Sequence, residues 1–474
     1  MHPRTLCSAL AMLTALPALA LDYPATKKDD VIDEIQGTKV PDPYRWLEDD
    51  NSPETKAWVA EQNKVTTDFL KTIPQRDAIR DRLSKLWNYE RTGLPRHYGE
   101  NWFFSYNSGL QNQPVLKVAT SLDGESRLLL DPNTFSADGT VSLAGSTPSE
   151  DGKLLAYSIS RGGSDWNEIM VRDVATGKDL SDHLKWVKFS GMSWAKDGSG
   201  FYYGRYDEPK EGQALTAMNE FQKLYFHKIG TEQSADVLIY ERKDHAKWSL
   251  GGGLTEDGRY LVIHIAEGSD PKNRVFYKDM EKAGNPVVEL LPDADAAYDF
   301  VDNDGPIFYF RTDLDAPRNR VIAIDLRKPD RKEWKEIIPQ GKDLLQAVSS
   351  VGDQLIGEYL RDAKSAVTAY DFTGKLIREV ELPGIGSAGG FDGRKGETDT
   401  FYSYTSFTDP GAIYRYDLAT GKSTLWKRPK VEFDGDKYET KQVFFPSKDG
   451  TKVPMFIVYK KGISLDGSNP TLLY

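Results

Sequence analysis

A repeated pair of strands runs along most of this chain, and it limits the possible folds more than any other feature of the sequence. The first strand of each pair is rich in aromatic residues and follows an acidic turn that ends in Gly. The clearest copies of that turn are Asp151-Gly152, Asp197-Gly198, Asp257-Gly258 and Asp304-Gly305. The second strand ends in a polar turn, as in IMVRDVATGK and IYRYDLATGK. With weaker copies included, seven such pairs recur at intervals of about 50 residues, which is typical of a β-propeller with seven four-stranded blades.

The Asp-Gly pairs are interpreted as hairpin turns. Gly tolerates a positive φ, and the Asp side chain bonds to nearby backbone groups. A calcium loop would need several oxygen ligands at a fixed spacing, which these turns lack. The sequence therefore predicts no metal site and no cofactor.

Segments of different character flank the repeat. Residues 21–93 have helical periodicity, and residues 437–474 form a third pattern, which leaves 94–436 for the propeller. In the first segment, Ser52 is a candidate N-cap, and Pro53 suits the first turn of the helix that follows.

The last segment reads as two strands, 441–446 and 453–459, followed by the start of an apolar strand at 471–474. An apolar strand needs partners that bury it. We therefore expect the sequence to stop inside a larger domain.

Residues 1–20 have the pattern of a secretory signal. Arg4 precedes an apolar run at 6–16, and small residues at Ala18 and Ala20 suit a signal peptidase. The run is too short to span a bilayer, although an uncleaved N-terminal anchor is the alternative. The protein is expected to be exported, to the periplasm or the medium, and to have no membrane contact after cleavage.

Charge and cysteine content exclude several functions. The formal net charge of -11 disfavours nucleic-acid binding, because phosphates would be repelled. The single cysteine, Cys7, lies in the predicted signal. The processed chain would then have no disulfide, cysteine zinc site or cysteine nucleophile.

No catalytic constellation is predicted within the chain. An α/β-type serine hydrolase needs Gly-x-Ser-x-Gly at a strand-to-helix turn, and the nearest match, residues 191–195, lacks the second Gly. The six histidines include no His-Glu-x-x-His pattern of a zinc protease. His227 and His264 are expected to be packed or rim residues of strands. We assign no catalytic residue and expect the chain alone to be inactive.

Several segments nonetheless carry a resemblance to a known family. They are residues 42–48, 107–113, 163–166, 188–190, 267–271 and 445–451. Their order and spacing resemble the prolyl oligopeptidase family over residues 22–474. The resemblance implies a mainly β fold, a seven-bladed β-propeller inserted into an α/β-hydrolase domain of which only the N-terminal segment and the first strands are present. The family's catalytic serine, aspartate and histidine would lie beyond Tyr474.

The resemblance also implies an activity, the hydrolysis of short proline-containing peptides on the carboxyl side of proline by a serine peptidase. Independently of the resemblance, we expect no cofactor and a monomer. A serine would attack the carbonyl, a histidine would take its proton, and backbone amides would hold the oxyanion. The propeller would restrict access, so that folded proteins would not reach the cavity.

Five residues are implied to contact substrate. Phe189 matches a phenylalanine that lines the family's pocket for the third residue before the cut, and Asp165 matches an aspartate that faces the peptide's amino end. Ser249 stands where relatives have methionine, which weakens the apolar pocket unless Leu250 fills it. Ser269 stands where some relatives have cysteine. Blade packing is the alternative role for Phe189, and turn capping is the alternative for Asp165.

Two other functions remain open at this point. The chain could be a non-catalytic propeller that binds a ligand or partner, or it could belong to the sister oligopeptidase that cleaves after Lys or Arg. A Gly-x-Ser-x-Gly motif further along the gene would favour a peptidase over a non-catalytic propeller. A preference for Pro-linked over Arg-linked peptides would favour the proline-specific enzyme over its sister oligopeptidase.

Overall fold

A computed structural model describes residues 21–214, 216–282 and 284–474. The predicted signal, residues 1–20, lies outside the described residues. No helix within the described part of the chain is long and apolar enough to cross a membrane.

The chain divides after Trp87 into two compact units. The elements of the first unit are the strands β1 (Ile32–Ile35) and β2 (Thr38–Pro41), a 3-10 turn (Arg45–Glu48), and the helices α1 (Pro53–Lys71) and α2 (Arg76–Trp87). The helix α1 begins as predicted, because the Thr55 N–H donates to Ser52 Oγ at 3.1 Å and Pro53 occupies the first position. These features satisfy or remove donors that a helix start otherwise leaves unpaired.

The second unit contains seven antiparallel sheets in chain order. The first consists of β3 (Arg91–Thr92), β4 (Arg96–Tyr98), β5 (Asn101–Asn107), β6 (Val115–Ala119) and β7 (Ser126–Leu130). The second consists of β8 (Val141–Pro148), β9 (Leu154–Arg161), β10 (Asn167–Asp173) and β11 (Asp179–Val187). The third consists of β12 (Met192–Trp194), β13 (Gly200–Arg205), β14 (Lys223–Lys228) and β15 (Val237–Tyr240).

The remaining four sheets repeat this arrangement. The fourth consists of β16 (Trp248–Leu254), β17 (Tyr260–Glu267), β18 (Arg274–Asp279) and β19 (Val287–Leu291). The fifth consists of β20 (Tyr298–Asp304), β21 (Ile307–Thr312), β22 (Arg320–Asp325) and β23 (Lys335–Ile338). The sixth consists of β24 (Leu344–Val351), β25 (Gln354–Arg361), β26 (Lys364–Tyr370) and β27 (Leu376–Val380). The seventh consists of β28 (Ser387–Gly390), β29 (Asp399–Ser406), β30 (Asp409–Asp417) and β31 (Ser423–Lys427).

These sheets are the seven blades of a β-propeller, as the sequence repeat predicts. The first strand of each blade is innermost, since β12 lies against both β8 and β16. The first blade departs from the four-strand pattern, because β3 and β4 both pair with β5. Residues 93–95 interrupt its innermost strand there, and Pro95 has no N–H for a ladder.

Aromatic side chains close the ring between the first and seventh blades. The rings of Trp102 and Phe401 meet edge to face at 5.8 Å, and those of Phe104 and Trp426 at 6.3 Å. The Trp426 indole N–H also donates to Asp123 Oδ1 at 3.2 Å. Each blade consists of strands that are consecutive in the sequence, so no strand from one end of the chain completes a blade at the other end. Side-chain packing joins the first blade to the seventh.

One end of the central channel is crossed by the turn between β28 and β29, which contains Arg394 and Lys395. Arg394 Nη1 lies 3.0 Å from Glu150 Oε2 of the second blade. The Lys395 backbone N–H donates to Glu256 of the fourth blade at 2.9 Å, and its Nζ lies 3.3 Å from Asp302 Oδ1 of the fifth. A single turn that reaches blades on the far side of the ring narrows this end of the channel.

The segment after the propeller forms a hairpin of β32 (Tyr438–Pro446) and β33 (Lys452–Lys460). The ring of Phe456 in this hairpin lies 5.5 Å from Phe407 of the seventh blade. The expected strand at 471–474 does not form among the described residues, since these four residues belong to no helix, strand or turn. A strand forms only where a neighbouring strand accepts its backbone hydrogen bonds, and the described residues provide none there.

Candidate functional site

A cavity of about 780 Å³ lies beside the third and fourth blades. Its lining includes Phe189, Tyr206, Met218, Ser249, His264 and Glu267. The Asp-Gly turns join the first and second strands of the blades and so lie at one end of the channel. The cavity residues come mainly from the opposite ends of the strands and from the links between blades. The cavity therefore lies toward the end of the channel opposite the Arg394–Lys395 turn.

Phe189 is exposed and backbone-strained at this cavity. It lies in the link between β11 and β12, its φ is +52°, and 55% of the residue is accessible to solvent. A positive φ is unfavourable for a residue with a bulky side chain, and leaving an aromatic ring in water forgoes the free energy of burying it. Backbone strain of this kind collects at functional sites. The structure places the ring in the cavity and not between strands of a blade.

The neighbouring Lys188 is a site residue that the sequence did not indicate. It is buried, with Nζ 3.0 Å from Asn219 Oδ1 and 3.9 Å from the centroid of the Trp166 ring. Burial lowers the pKa of Lys188, and the charge of Asp165 opposes that shift. Sequence alone does not reveal that this lysine is enclosed, because Lys is usually a surface residue.

A buried glutamine holds the Phe189 link against the fourth blade. The Gln222 side chain donates from Nε2 to the Lys188 carbonyl at 2.7 Å, and its Oε1 accepts from the Leu250 N–H at 2.7 Å. The amide thus fixes the backbone on either side of the cavity. Such buried side-chain bridges give a binding surface a defined shape.

Ser249 and Leu250 have opposite environments. Ser249 lines the cavity and makes a hydrogen bond with Tyr206. Burial raises the pKa of the Tyr206 phenol, and this hydrogen bond opposes part of that shift. Leu250 is buried in the blade core beside Trp248 and Ile263. The expectation that Leu250 fills the pocket is therefore wrong, because successive side chains of a strand point to opposite faces.

Ser269 and Asp165 lie in exposed turns near this end of the channel. Ser269 follows Gly268, which lines the cavity, but Ser269 itself is not part of the lining. Asp165 lies between β9 and β10, next to Trp166. Its carboxylate makes no hydrogen bond or ion pair within the described part of the chain, so the structure shows no turn-capping contact.

His264 lines the cavity, although sequence reasoning did not assign it to the site. Its Nε2 lies 2.7 Å from the side-chain nitrogen of Asn273. Burial lowers the pKa of His264, with a smaller opposing effect from Asp299. One part of the His264 ring is open to solvent in the cavity, and protein atoms enclose the rest of it.

Comparison with known proteins agrees with this fold. The sequence profile of the prolyl oligopeptidase N-terminal β-propeller domain matches residues 23–429. The chain therefore belongs to the prolyl oligopeptidase family.

Curated relatives match almost the whole chain. It is 43% identical to the prolyl endopeptidase of Elizabethkingia meningoseptica, over 98% of this chain and 65% of the relative. It is 32% identical to a dual-function macrocyclase-peptidase of Galerina marginata, over 96% of this chain and 66% of the relative. The chain thus spans about 65% of the length of the curated relatives it matches.

Solved structures of the family superpose on the chain. A structure from a structural and mechanistic analysis of two prolyl endopeptidases has a TM-score of 0.74 at 40% identity, covering 93% of this chain and 64% of that one. Prolyl oligopeptidase B from Galerina marginata, bound to a 25mer macrocyclization substrate, has a TM-score of 0.83 at 30% identity, covering 94% and 66%.

Proposed function

We propose that this chain is the propeller-bearing front part of a serine endopeptidase that cleaves short peptides on the carboxyl side of proline. The observation that carries the proposal is the exposed, strained Phe189 in the cavity at one end of the channel. An aromatic wall suits apolar peptide side chains. The cavity would hold residues on the amino side of the scissile bond.

In the complete enzyme, the chemistry would come from a serine, an aspartate and a histidine outside the part described here. The serine would attack the carbonyl carbon, the histidine would take the serine proton and later deliver it to the leaving amine, and backbone amides would hold the oxyanion. The chain would contribute substrate binding, and by itself it is expected to hydrolyse nothing.

The propeller would also select substrates by size. The Arg394–Lys395 turn, tied to Glu150, Glu256 and Asp302, supports this role because it narrows one end of the channel. A flexible peptide could reach the cavity, whereas a folded protein would be too wide. We further propose that the enzyme is monomeric.

Export is the third part of the proposal. The pattern of residues 1–20 supports cleavage after Ala20 and delivery to the periplasm or the medium. N-terminal sequencing of the protein recovered from its native host tests this, with Leu21 expected as the first residue. Recovery of a cytoplasmic protein that starts at Met1 would contradict it.

The activity is tested on the complete enzyme with chromogenic peptides linked through Pro or through Arg. We expect cleavage of the Pro-linked peptide and its loss with a serine-directed inhibitor. Preference for the Arg-linked peptide would favour the sister oligopeptidase, and cleavage of neither would favour a non-catalytic binding module.

A variant of the cavity links this activity to the described residues. We expect F189A to raise KM for Pro-linked peptides roughly tenfold, since truncating a contacting aromatic residue costs binding energy. Leu128, an exposed residue of the outermost strand of the first blade, provides the matched control L128A, which should leave KM unchanged. Equal values for all three proteins would show that peptides bind elsewhere.

A further inference from the structure

His264 lies in an unusually open position on β17. Its partner on the neighbouring innermost strand is Gly251, which has no side chain to cover it. A Cβ placed on Gly251 would have no atom within 4 Å. The imidazole therefore lines the cavity with free space beside it.

The amide of Asn273 has a fixed orientation next to this ring. Its Oδ1 accepts a hydrogen bond from the Tyr298 N–H at 2.7 Å, and its Nδ2 donates to the Tyr298 carbonyl at 2.9 Å. If Oδ1 and Nδ2 exchanged places, the amide nitrogen would face the Tyr298 N–H and the amide oxygen would face the Tyr298 carbonyl, and neither pair could form a hydrogen bond. The backbone of Tyr298 thus decides which end of Asn273 is the nitrogen.

That orientation determines the tautomer of the histidine. The Asn273 nitrogen, 2.7 Å from His264 Nε2, can only donate. Nε2 must then accept, so the imidazole is neutral and its proton sits on Nδ1. The lowered pKa of His264, caused by burial, agrees with a neutral ring.

The Nδ1–H donor of His264 has no partner within the described part of the chain, although the ring lines the cavity. A histidine that serves only packing would not need its proton directed by a buried amide. Glu220 and Glu267 line the same cavity, but so does Lys247, and Arg274 Nη1 lies 3.6 Å from Glu267 Oε2, so neither sign of charge dominates beside the donor. A neutral oxygen is the acceptor that this environment favours.

We propose that His264 is a substrate-binding residue whose Nδ1–H donates a hydrogen bond to a backbone carbonyl oxygen of the peptide in the Phe189 cavity. The proposal rests on the proposed function, and it adds a specific polar contact to the apolar wall. This hydrogen bond favours an extended peptide that places a backbone carbonyl beside His264 while one of its side chains contacts the Phe189 ring. The contact does not depend on which side chain follows the carbonyl.

The first test examines the tautomer directly. Nitrogen NMR of the chain labelled with ¹⁵N-histidine distinguishes a protonated Nδ1 from a protonated Nε2, and the spectrum of H264Q assigns the signal. We expect a neutral ring protonated on Nδ1 at pH 7. A signal from the Nε2-protonated form or from the imidazolium would overturn the proposal.

The second test uses the complete enzyme and Pro-linked peptides in which one carbonyl at a time is replaced by a thioamide, a poorer acceptor. H264F keeps a ring but removes the donor, and we expect it to lower kcat/KM roughly 3- to 10-fold, mainly through KM. One thioamide position should produce a similar loss in the wild type and no further loss in H264F. H264Q, which can both accept from Asn273 and donate, should recover most of the loss.

The outcomes separate the two proposals. A loss in F189A but none in H264F would overturn the role of His264 and leave the cavity assignment intact. Equal losses in H264F and H264Q, with thioamide effects unchanged, would show a packing role and would also overturn it. Absence of Pro-linked hydrolysis by the wild type would overturn the proposed function itself.

Discussion

His227 lies fully buried between carboxylates of two blades. Its Nδ1 is 2.7 Å from Asp236 Oδ1, and its Nε2 is 2.9 Å from Asp182 Oδ1. Carboxylates accept hydrogen bonds, so both ring nitrogens donate and the imidazole is protonated. Burial lowers the pKa of His227, but the hydrogen bonds with Asp236 and Asp182 outweigh it and raise the pKa above its usual value. The cation joins β14 of the third blade to Asp182 on β11 of the second.

We expect H227Q to lower the free energy of unfolding by about 3 kcal/mol near pH 6, because the two buried carboxylates lose their cation. Because the folded-state pKa is raised, this stabilisation is complete below the unfolded-state pKa of about 6.5 and is lost as the pH rises through the folded-state value. Urea unfolding at pH 6 and at pH 9 measures the difference. E208Q, which changes an exposed glutamate after the third blade's second strand, is the control. A difference that grows with pH would contradict the protonated ring.

Glu358 on β25 is a carboxyl group without a cationic partner among the described residues. Burial, with a smaller contribution from Asp392, raises the pKa of Glu358 to about 7, and a hydrogen bond with the Gly390 backbone opposes the shift. Ionisation of this group is therefore less favourable in the folded protein than in the unfolded chain.

For this reason E358Q should be more stable than the wild type at high pH. We expect a gain of about 2 kcal/mol in the free energy of unfolding at pH 8.5 and almost none at pH 4, where the carboxyl is protonated in the folded protein and mostly protonated in the unfolded chain. Urea unfolding at the two pH values provides the measurement. E208Q, a change at an exposed glutamate, should show no gain, and an equal gain in both variants would contradict the buried-carboxyl account.

At the scale of elements, alternation along strands explains both the successes and the failures of the sequence predictions. The aromatic strands and Asp-Gly turns are local patterns, and for that reason seven blades could be predicted. Leu250 could not be placed from that pattern, because only the register of β16 shows that its neighbour Ser249 faces the cavity. The roles of Lys188 and His264 depend on Asn219 and Asn273, which contact them through the fold and leave no local signal.

The start of helix α1 offers a test at this scale. We expect S52A to destabilise the first turn by about 1 kcal/mol, since the Thr55 N–H loses its acceptor. Hydrogen exchange of the Thr55 amide measures the effect, and S52D, which restores an acceptor, should return exchange to the native rate. Unchanged exchange in S52A would mean that the cap does not hold the helix start.

At the scale of the whole molecule, contacts between distant parts of the sequence close the ring and its channel. Trp102 meets Phe401, and Lys395 reaches Asp302 across the channel. The sequence repeat predicts the number of blades, but nothing local in it pairs these residues. The closing contacts are therefore the part of the fold that only the structure reveals.

The channel-crossing contact can be tested by removing one charge and then both. We expect K395M to cost about 2 kcal/mol in the free energy of unfolding, because the buried Asp302 carboxylate loses its cation. The double variant K395M/D302N should recover most of that loss, since no unpaired charge remains. Additive losses in urea unfolding would show that Lys395 and Asp302 do not interact.

The central claim is that this propeller belongs to a proline-specific peptidase and limits it to flexible peptides. The most direct measurement incubates the complete enzyme with one proline-containing sequence in two forms, as a free peptide and as a loop of a folded protein, and follows both by mass spectrometry. The account predicts cleavage after proline in the free peptide only. Cleavage of the folded protein at a comparable rate, or no cleavage after proline in either form, would contradict it.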